Sequence, residues 1–422
     1  MDDVTLFRAA AIAGIVLVLW LTEVIPLFAT TFVLWVAIVL ALGPIDPQKF
    51  GLDRVLATAA SPILALFLGG FALSVVGAKY GIATYIAWWM VRFSRGDRRM
   101  LLAAVMLGTA VLSMWMSNIA AAAMMIATLN PLFNRDTQTD APGFRTALLL
   151  GIAFAADFGG IGTPIGTGPN LIAIAELASR HPITFLHWMT FGVPVALTLV
   201  TLTYGLLVVL HRVKGKLAPA VIDPARLTRR GWMIVTIFFV TVAGWVLEPV
   251  HGISAAVVAL ILTAALFGSR LLDKHDLARI EWNTLLLVAG GLTFGHLVET
   301  SGLAGAVASG IDWNAMHPSV MLFGLLFGCA ILAALASNTA AAAMIIPIAL
   351  SIRPNPSIAI LVALAASMGI PFVFSTPPNS LAYGQGGFAS RELLIPGLLL
   401  MVIGCALLTL LGPMLLKLVG FP

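Results

Sequence analysis

The string "SNIAAAAMMI" at residues 117–126 decides how this chain folds, because it returns almost unchanged as "SNTAAAAMII" at residues 337–346. Eight of the ten positions are identical, and each copy places a Ser-Asn pair in the middle of an apolar segment. Small and polar residues often serve only as contacts between membrane helices. Because the pair recurs in a matching context, we favour a functional bend in each half of the chain over helix contact alone.

The composition places the chain in a lipid bilayer. Hydrophobic residues make up 60% of the 422 positions, charged residues make up 10%, and the mean hydropathy is +1.04. Apolar runs long enough to cross a membrane follow one another along the sequence, which indicates a multi-pass protein of the cell membrane. The two cysteines lie in apolar segments and suggest neither a disulfide framework nor a thiolate metal site. No basic patch favours nucleic acid as a partner.

Two apolar segments, 99–134 and 317–353, are too long for one crossing each. A helix of about 35 residues would reach roughly 52 Å, whereas the hydrocarbon core of a bilayer is about 30 Å thick. Folding each segment at its Ser-Asn pair gives two arms, so we expect two re-entrant hairpins. The other apolar runs predict five crossings in each half, at 5–22, 27–43, 60–91, 146–180 and 184–210, and at 232–248, 253–268, 282–310, 357–390 and 393–416.

The similarity between the halves extends beyond the hairpins. Residues 66–83 pair with residues 287–304 through three aligned glycines, and each hairpin is followed by a crossing that a Thr/Pro/Asn cluster interrupts. These clusters are "GGIGTPIGTGPN" at 159–170 and "STPPN" at 375–379. Five crossings are an odd number, so the second half enters the membrane upside down. The predicted fold is an all-α polytopic membrane protein with two inverted repeats, each of five transmembrane helices and one re-entrant hairpin.

The distribution of basic residues agrees with this topology. If the polar linker at 211–231 is cytoplasmic, 16 of the 23 Lys and Arg residues fall on the inner side of the membrane. This asymmetry follows the positive-inside rule, and it predicts both chain termini on the outer face.

The bends and the interrupted crossings offer groups that suit both signs of charge. Free N–H groups at a helix start suit the oxygens of carboxylates and other oxyanions. Free carbonyls, hydroxyls and Asn oxygens suit a hard cation such as Na⁺. The pattern therefore predicts an anion held beside cations. Asp157, just before the first cluster, is either a cation-binding or proton-coupling group or a structural partner of the loop, and the sequence leaves both open.

The sequence does not favour an enzyme. It contains no His-Glu-x-x-His motif, no nucleophile-elbow pentapeptide and no paired catalytic carboxylates. The glycines at 159–166 lie in a hydrophobic crossing and not after a predicted strand, which argues against a nucleotide-binding loop.

The strings "LSMWMSNIAAAAMM" (112–125) and "SNTAAAAMIIPI" (337–348), with the two Thr/Pro/Asn clusters, closely resemble the motifs of the divalent anion/sodium symporter family. The likeness covers most of the chain and preserves motif order. It implies a homodimeric elevator-type transporter of dicarboxylates, tricarboxylates or sulfate, usually driven by Na⁺ at two sites. It also implies a scaffold of residues 1–95 and 232–315, and a moving unit of residues 99–210 and 317–422 with broken helices at 146–180 and 357–390, joined by the linker at 211–231.

The resemblance also implies which positions bind solutes, since in that family the hairpin tips and the interrupted loops form the sites. The positions implied for substrate are Ser117, Asn118, Thr167, Gly168, Ser337, Asn338, Thr339, Thr376 and Pro377. The positions implied for sodium are Ser113, Ser117, Asn118, Gly166, Gly168, Asn338, Ser375, Thr376 and Pro378.

Two features depart from the family pattern. Ile119 stands where the family has Thr, so one hydroxyl that would face the substrate is replaced by an apolar side chain. Losing one donor to a charged group costs about 1.5–3 kcal/mol, which affects the identity of the anion more than the mechanism. The resemblance also leads us to expect that the first repeat comes first in the chain, whereas many relatives carry an extra leading helix.

The leading hypothesis is a secondary active transporter that moves a C4-dicarboxylate such as succinate together with Na⁺. A transporter of sulfate or another inorganic oxyanion, a Na⁺-independent dicarboxylate exchanger, and a permease for arsenite or protons in which Asp157 titrates are alternatives within transport. An anion channel is the alternative from a different class, because re-entrant hairpins also build selectivity filters.

Overall fold

The computed structural model describes residues 3–135, 142–178, 180–216, 226–303, 305–306 and 317–421. Within these ranges the chain is helical, and the extended pairing that they contain is one isolated bridge between Asp97 and Lys216. Part of the predicted 211–231 linker and the end of the predicted 282–310 crossing lie outside the described residues.

The first half contains eleven α-helices among its described residues. They are α1 (Asp3–Thr22), α2 (Leu27–Ala41), α3 (Pro47–Phe50), α4 (Leu52–Ala59), α5 (Pro62–Lys79), α6 (Ile82–Phe93), α7 (Arg98–Ser113), α8 (Asn118–Arg135), α9 (Pro142–Gly159), α10 (Gly168–Leu177) and α11 (Phe185–Leu210).

The described part of the second half follows the same order. Its helices are α12 (Arg229–Val246), α13 (Glu248–His251), α14 (Ala255–Gly268), α15 (Lys274–Leu277), α16 (Trp282–Thr300), α17 (Pro318–Leu335), α18 (Asn338–Ile352), α19 (Pro356–Ala366), α20 (Pro377–Gly384) and α21 (Ser390–Leu418).

Seven helical stretches in the described residues are long and apolar enough to cross a membrane, and shorter apolar helices lie between them. The chain is an integral, multi-pass, all-α membrane protein, as the composition predicted. The stretches differ in how far the protein buries them. Of the most apolar part of residues 143–162, 94% is buried inside the protein, whereas the corresponding share for α12 is 22%. Helix α9 is therefore central, and it packs against α7, α8, α11 and α20.

Both predicted hairpins bend at their Ser-Asn pairs. Helix α7 ends at Ser113 and α8 begins at Asn118, while α17 ends at Leu335 and α18 begins at Asn338. The two arms of each hairpin pack against each other. The arms contain 15 to 18 residues, and 1.5 Å of rise per residue makes each about 22–27 Å long. Each bend is therefore a short break between two packed helices.

The predicted crossing at 60–91 consists of two helices, α5 and α6, and the prediction missed the break between them. Gly81 between them has a φ of 73°, in the left-handed region that residues with a Cβ atom rarely adopt. Its signal was present in the sequence as one of the paired glycines, but spacing alone did not distinguish a helix break from close helix packing.

The two interrupted crossings are also present as breaks. Helix α9 ends at Gly159, a single 3₁₀ turn occupies 160–162, and α10 starts at Gly168. In the second half α19 ends at Ala366 and α20 starts at Pro377. Each break leaves a stretch of backbone that cannot use regular helical hydrogen bonds, and irregular backbone at membrane depth is tolerated only where protein or a cavity satisfies it.

Candidate functional site

One asparagine holds each interrupted loop together. Asn170 Nδ2 donates to the carbonyl oxygens of Gly160 (3.0 Å), Ile161 (3.4 Å) and Thr163 (2.8 Å). Asn379 Nδ2 donates to the carbonyl oxygens of Ile370 (2.8 Å) and Phe372 (3.2 Å), which occupy equivalent places when the two loops are aligned on their asparagines. Both asparagines are fully buried. The carboxamide thus takes over the role of the missing helical N–H groups and fixes the loop.

Each loop is also tied to the first arm of its own hairpin. Thr163 Oγ1 donates to the carbonyl of Met114, just after α7, and Ser375 Oγ donates to the carbonyl of Ala334 in α17 at 2.9 Å. Hairpin tips and loops are therefore held in register by local hydrogen bonds within each half.

The tips and the loops of both halves surround one cavity of about 500 Å³. It brings together all nine positions implied for substrate, Ser117, Asn118, Thr167, Gly168, Ser337, Asn338, Thr339, Thr376 and Pro377. Eight of the nine positions implied for sodium line the cavity, namely Ser117, Asn118, Gly166, Gly168, Asn338, Ser375, Thr376 and Pro378. The ninth, Ser113, is buried and contacts Asn118 but does not line the cavity.

Four helices that follow the hairpin bends and the loop breaks begin at this cavity, and two of these four begin without a side-chain cap. Thr167 before α10 and Ser337 before α18 make no capping hydrogen bond, so the first N–H groups of those helices remain open to a ligand. The two uncapped ends adjoin each other, because a Cβ atom added to Gly168 would lie 2.2 Å from Thr339 Oγ1. Two adjacent free helix N-termini form a place where an anion is stabilised.

The other two of these four helices, α8 and α20, are capped. The Ser117 hydroxyl accepts from the Ala120 N–H at 3.3 Å at the start of α8, and the Thr376 hydroxyl accepts from the Asn379 N–H at 3.4 Å at the start of α20. Asp157 lies between these two ends. Its carboxylate accepts from Thr376 Oγ1 at 2.8 Å and from Asn118 Nδ2 at 3.4 Å, and the residue is only 1% exposed. The cavity therefore has an anion-favouring pair of helix ends and a pair that a carboxylate already occupies.

The carboxamide of Asn118 points its oxygen into a group of other oxygens. Asn118 Oδ1 lies 2.8 Å from Ser113 Oγ, 3.2 Å from the Ala156 carbonyl and 3.1 Å from the Gly166 carbonyl. Ser113 also lies 2.6 Å from the Ala156 carbonyl, and its single proton cannot serve both contacts. Four oxygens gathered around so few protons suit a hard cation. Without a cation, exchanging the two ends of the carboxamide satisfies the group, because its nitrogen then donates to all three neighbours. The oxygen orientation is the one that a bound cation would favour.

The second half presents a related but simpler group. Asn338 Oδ1 is buried without a hydrogen-bond partner. Ser375 and Thr376, from the loop of the same half, line the cavity with it. A buried acceptor without a donor is costly, and a cation bound there would satisfy it.

The charges that line the cavity are all negative. Of its described lining residues none is Lys, Arg or His, and three are acids, namely Glu23, Asp157 and Glu281. An anion that enters this cavity meets no basic side chain, so its charge has to be balanced by helix ends and by cations that bind with it.

Sequence reasoning missed Glu281. This residue immediately precedes α16 and lines the cavity together with Ser117 of the first hairpin tip. Thr284 Oγ1 donates to its carboxylate at 3.3 Å. Its repeat-equivalent position, 221 residues earlier, is Ala60, so the sequence could have revealed it only as an acid without a counterpart in the other half.

Ile119 faces the cavity, and 40% of its surface is exposed there. Thr339 occupies the corresponding place in the second hairpin and also lines the cavity. The difference between the two tips is therefore inside the site.

The comparisons with known proteins agree with this architecture. A sequence profile described as citrate transporter (CitMHS) matches residues 17–362. The chain belongs to the citrate transporter family. It is also similar over 96% of its length to an uncharacterized transporter of Haemophilus influenzae, with 28% identity over 90% of that protein. The sodium-dependent dicarboxylate transporter SdcS of Staphylococcus aureus is 26% identical over 93% of this chain and 82% of SdcS.

Solved structures support the same fold for this citrate transporter family member. The YdaH transporter of Alcanivorax borkumensis matches with a TM-score of 0.62 at 15% identity, over 91% of this chain and 97% of YdaH. MtrF of Neisseria gonorrhoeae, described as one of a class of antimetabolite efflux pumps, matches with a TM-score of 0.54 at 13% identity, over 86% of this chain and 84% of MtrF. At such low identity these two structures show the fold alone. The relatives named above are transporters and not enzymes, consistent with the sequence prediction.

Proposed function

We propose that this family member is a secondary active symporter that moves a small divalent anion, a C4-dicarboxylate such as succinate, together with Na⁺. The observation that carries the proposal is a single cavity that both halves complete and whose described lining contains acids and neutral polar groups but no base. A divalent anion gains enough attraction in such a cavity only when cations bind beside it.

The anion end of the proposed site lies at the uncapped starts of α10 and α18. One carboxylate of the substrate would accept from the Thr167 hydroxyl and the N–H groups of Thr167 and Gly168. The other would accept from the hydroxyls of Ser337 and Thr339 and from the N–H groups at the start of α18. Thr376 and Pro377 line the opposite wall, where Thr376 already donates to Asp157.

The cation end comprises two sites, one in each half, and Na⁺ is a transported solute in both. In the first half the ligands would be Ser113, Ser117, Asn118, Gly166 and Gly168. In the second half they would be Asn338, Ser375, Thr376 and Pro378. Support comes from the oxygen group around Asn118 and from the unpaired Asn338 oxygen. The name of the SdcS relative, a sodium-dependent dicarboxylate transporter, gives the same direction.

The transport mechanism we propose is of the elevator type in a homodimer. Residues 99–210 and 317–422 would move as a unit against a scaffold of residues 1–95 and 232–315, with the linker at 211–231 on the cytoplasmic side. Glu281 supports this division, because it lies on the proposed scaffold and yet lines the cavity together with Ser117 of the proposed moving unit. The two residues would have to separate during each cycle.

Uptake into proteoliposomes tests the function directly. We expect labelled succinate to accumulate under an inward Na⁺ gradient and to fail to accumulate when choline replaces Na⁺. Accumulation that instead requires only internal dicarboxylate would show a Na⁺-independent exchanger. Unitary currents in planar bilayers, in place of saturable uptake, would show an anion channel.

A sulfate or other inorganic oxyanion is the second candidate substrate, and Ile119 favours it. A compact oxyanion can bind at one hairpin tip, so the missing hydroxyl at the first tip matters less to it. Thermal stabilisation of the purified protein by succinate, citrate and sulfate, each with and without Na⁺, separates the candidates, because a ligand that binds the folded state raises its melting temperature.

A further inference from the structure

Asp157 is a buried carboxylate without a positive partner. Its two hydrogen bonds come from neutral groups, Thr376 Oγ1 and Asn118 Nδ2. None of the ion pairs formed by the described residues includes it, and the other ionisable residues that line its cavity, Glu23 and Glu281, are also acids. A charge buried in this way is expensive unless a counter-charge accompanies it.

The oxygen group that suits a cation adjoins this carboxylate. The two share Asn118, whose Nδ2 donates to Asp157 while its Oδ1 lies among Ser113 Oγ and the carbonyls of Ala156 and Gly166. A negative charge on the nitrogen side favours this orientation of the carboxamide over the exchanged one. Asp157 thus acts on the oxygen group in two ways, through its own field and by keeping the Asn118 oxygen turned towards the group.

The second half lacks this carboxylate. Aligning the loops on Asn170 and Asn379 places Ala366 at the position equivalent to Asp157, and Ala366 is fully buried. The unpaired oxygen of Asn338 therefore has no acid in the corresponding place to attract a cation or to orient the carboxamide.

We infer that Asp157 makes the two cation sites unequal, so that the first-half site holds Na⁺ by itself and the second-half site holds Na⁺ only with the anion present. This inference rests on the proposed function, since it divides the two Na⁺ sites into one that a protein carboxylate supports and one that the substrate supports. It also assigns Thr376 to Asp157 and not to the substrate.

The test measures the melting temperature of the purified full-length protein as NaCl replaces choline chloride at constant ionic strength, without substrate. We expect Na⁺ alone to stabilise the wild type. Asp157→Asn keeps an acceptor for Thr376 and removes only the charge, and we expect its apparent Kd for Na⁺ to rise at least about tenfold, equivalent to about 1.4 kcal/mol. Glu176→Gln is the matched control, because that carboxylate packs against Gly295 of α16 outside the cavity, and it should leave the Kd unchanged.

The outcomes separate the inference from the proposed function. Equal responses of the wild type and Asp157→Asn would overturn the inference while Na⁺ coupling stands, whereas a wild type that ignores Na⁺ with and without succinate would overturn both. If Asp157→Asn does not fold, Ser113→Ala and Asn338→Ala decide the question. Substrate-free stabilisation by Na⁺ should be lost in Ser113→Ala and kept in Asn338→Ala, and the reverse pattern would contradict the inference.

Discussion

The two halves of this chain build their loops in the same way but place different side chains around them. Asn170 in the first half and Asn379 in the second donate to equivalent backbone carbonyls. In contrast, Asp157 in the first half corresponds to Ala366 in the second, and Ile119 corresponds to Thr339.

This difference separates two tasks within one site. The shared backbone breaks supply carbonyls and helix ends, which bind ions wherever the chain has this geometry. The unshared side chains decide the balance of charge and the number of donors, and therefore which ion is bound at which place. Four measurements test whether the two halves divide the tasks in this way.

Replacing either hairpin asparagine should have the largest effect, because both halves are needed to complete the site. Asn118→Ala and Asn338→Ala each remove two polar contacts to charged solutes, and we expect the rate of succinate uptake to fall about 100-fold or more in each variant. Asn130→Ala is the control, since Asn130 is exposed on the same helix as Asn118. If one variant kept most of its activity, the site would belong to a single half.

The loop asparagines should affect stability in both halves, but to different extents. Asn170→Ala removes three hydrogen bonds to loop carbonyls and Asn379→Ala removes two, at about 0.5–1.5 kcal/mol for each bond. The carbonyls of Ile161, Thr163 and Phe372 keep a second donor each, so they are not left unsatisfied. We expect a lower melting temperature for both, lowest for Asn170→Ala, measured by tryptophan fluorescence in detergent. A larger loss in Asn379→Ala would show that the two loops are not supported in the same way.

Making the hairpin tips alike should change substrate affinity. Ile119→Thr adds to the first tip the hydroxyl that Thr339 gives the second, and we expect the Kd for succinate to fall about tenfold, because a donor to a charged group contributes about 1.5 kcal/mol or more. Ile119→Val keeps the branched shape without the hydroxyl and serves as the control. An equal gain in both variants would assign the effect to size and not to hydrogen bonding.

Removing the charge of Glu281, the acid without a counterpart in the first half, should have the smallest effect. Glu281→Gln removes a negative charge from the cavity lining, so we expect the KM for the anion to fall by about two- to fivefold, less at high salt, where screening weakens the repulsion. Glu248→Gln is the control, because Glu248 lies outside this cavity. A salt-independent change would point to an altered hydrogen bond with Thr284 and not to charge.

Much of this architecture could be predicted from the sequence, because the two structural repeats have similar sequences. The bends at the Ser-Asn pairs and the breaks at the Thr/Pro/Asn clusters are local events with local signals. The bond between Asp157 and Thr376 joins residues 219 positions apart, and no periodicity predicts it. Glu281 and the stabilising role of Asn170 were likewise missed, since each depends on which loop approaches which helix end.

The contacts between the halves limit how the cavity can change. Gly168 of the first half fits directly against Thr339 of the second, and Thr376 of the second donates to Asp157 of the first. Separating the two halves at the cavity would therefore break contacts that form the binding surface. We expect the cavity to keep its shape through a transport cycle. Access to it would then change only as it moves past neighbouring residues of the proposed scaffold, such as Phe67, Phe71 and Thr284.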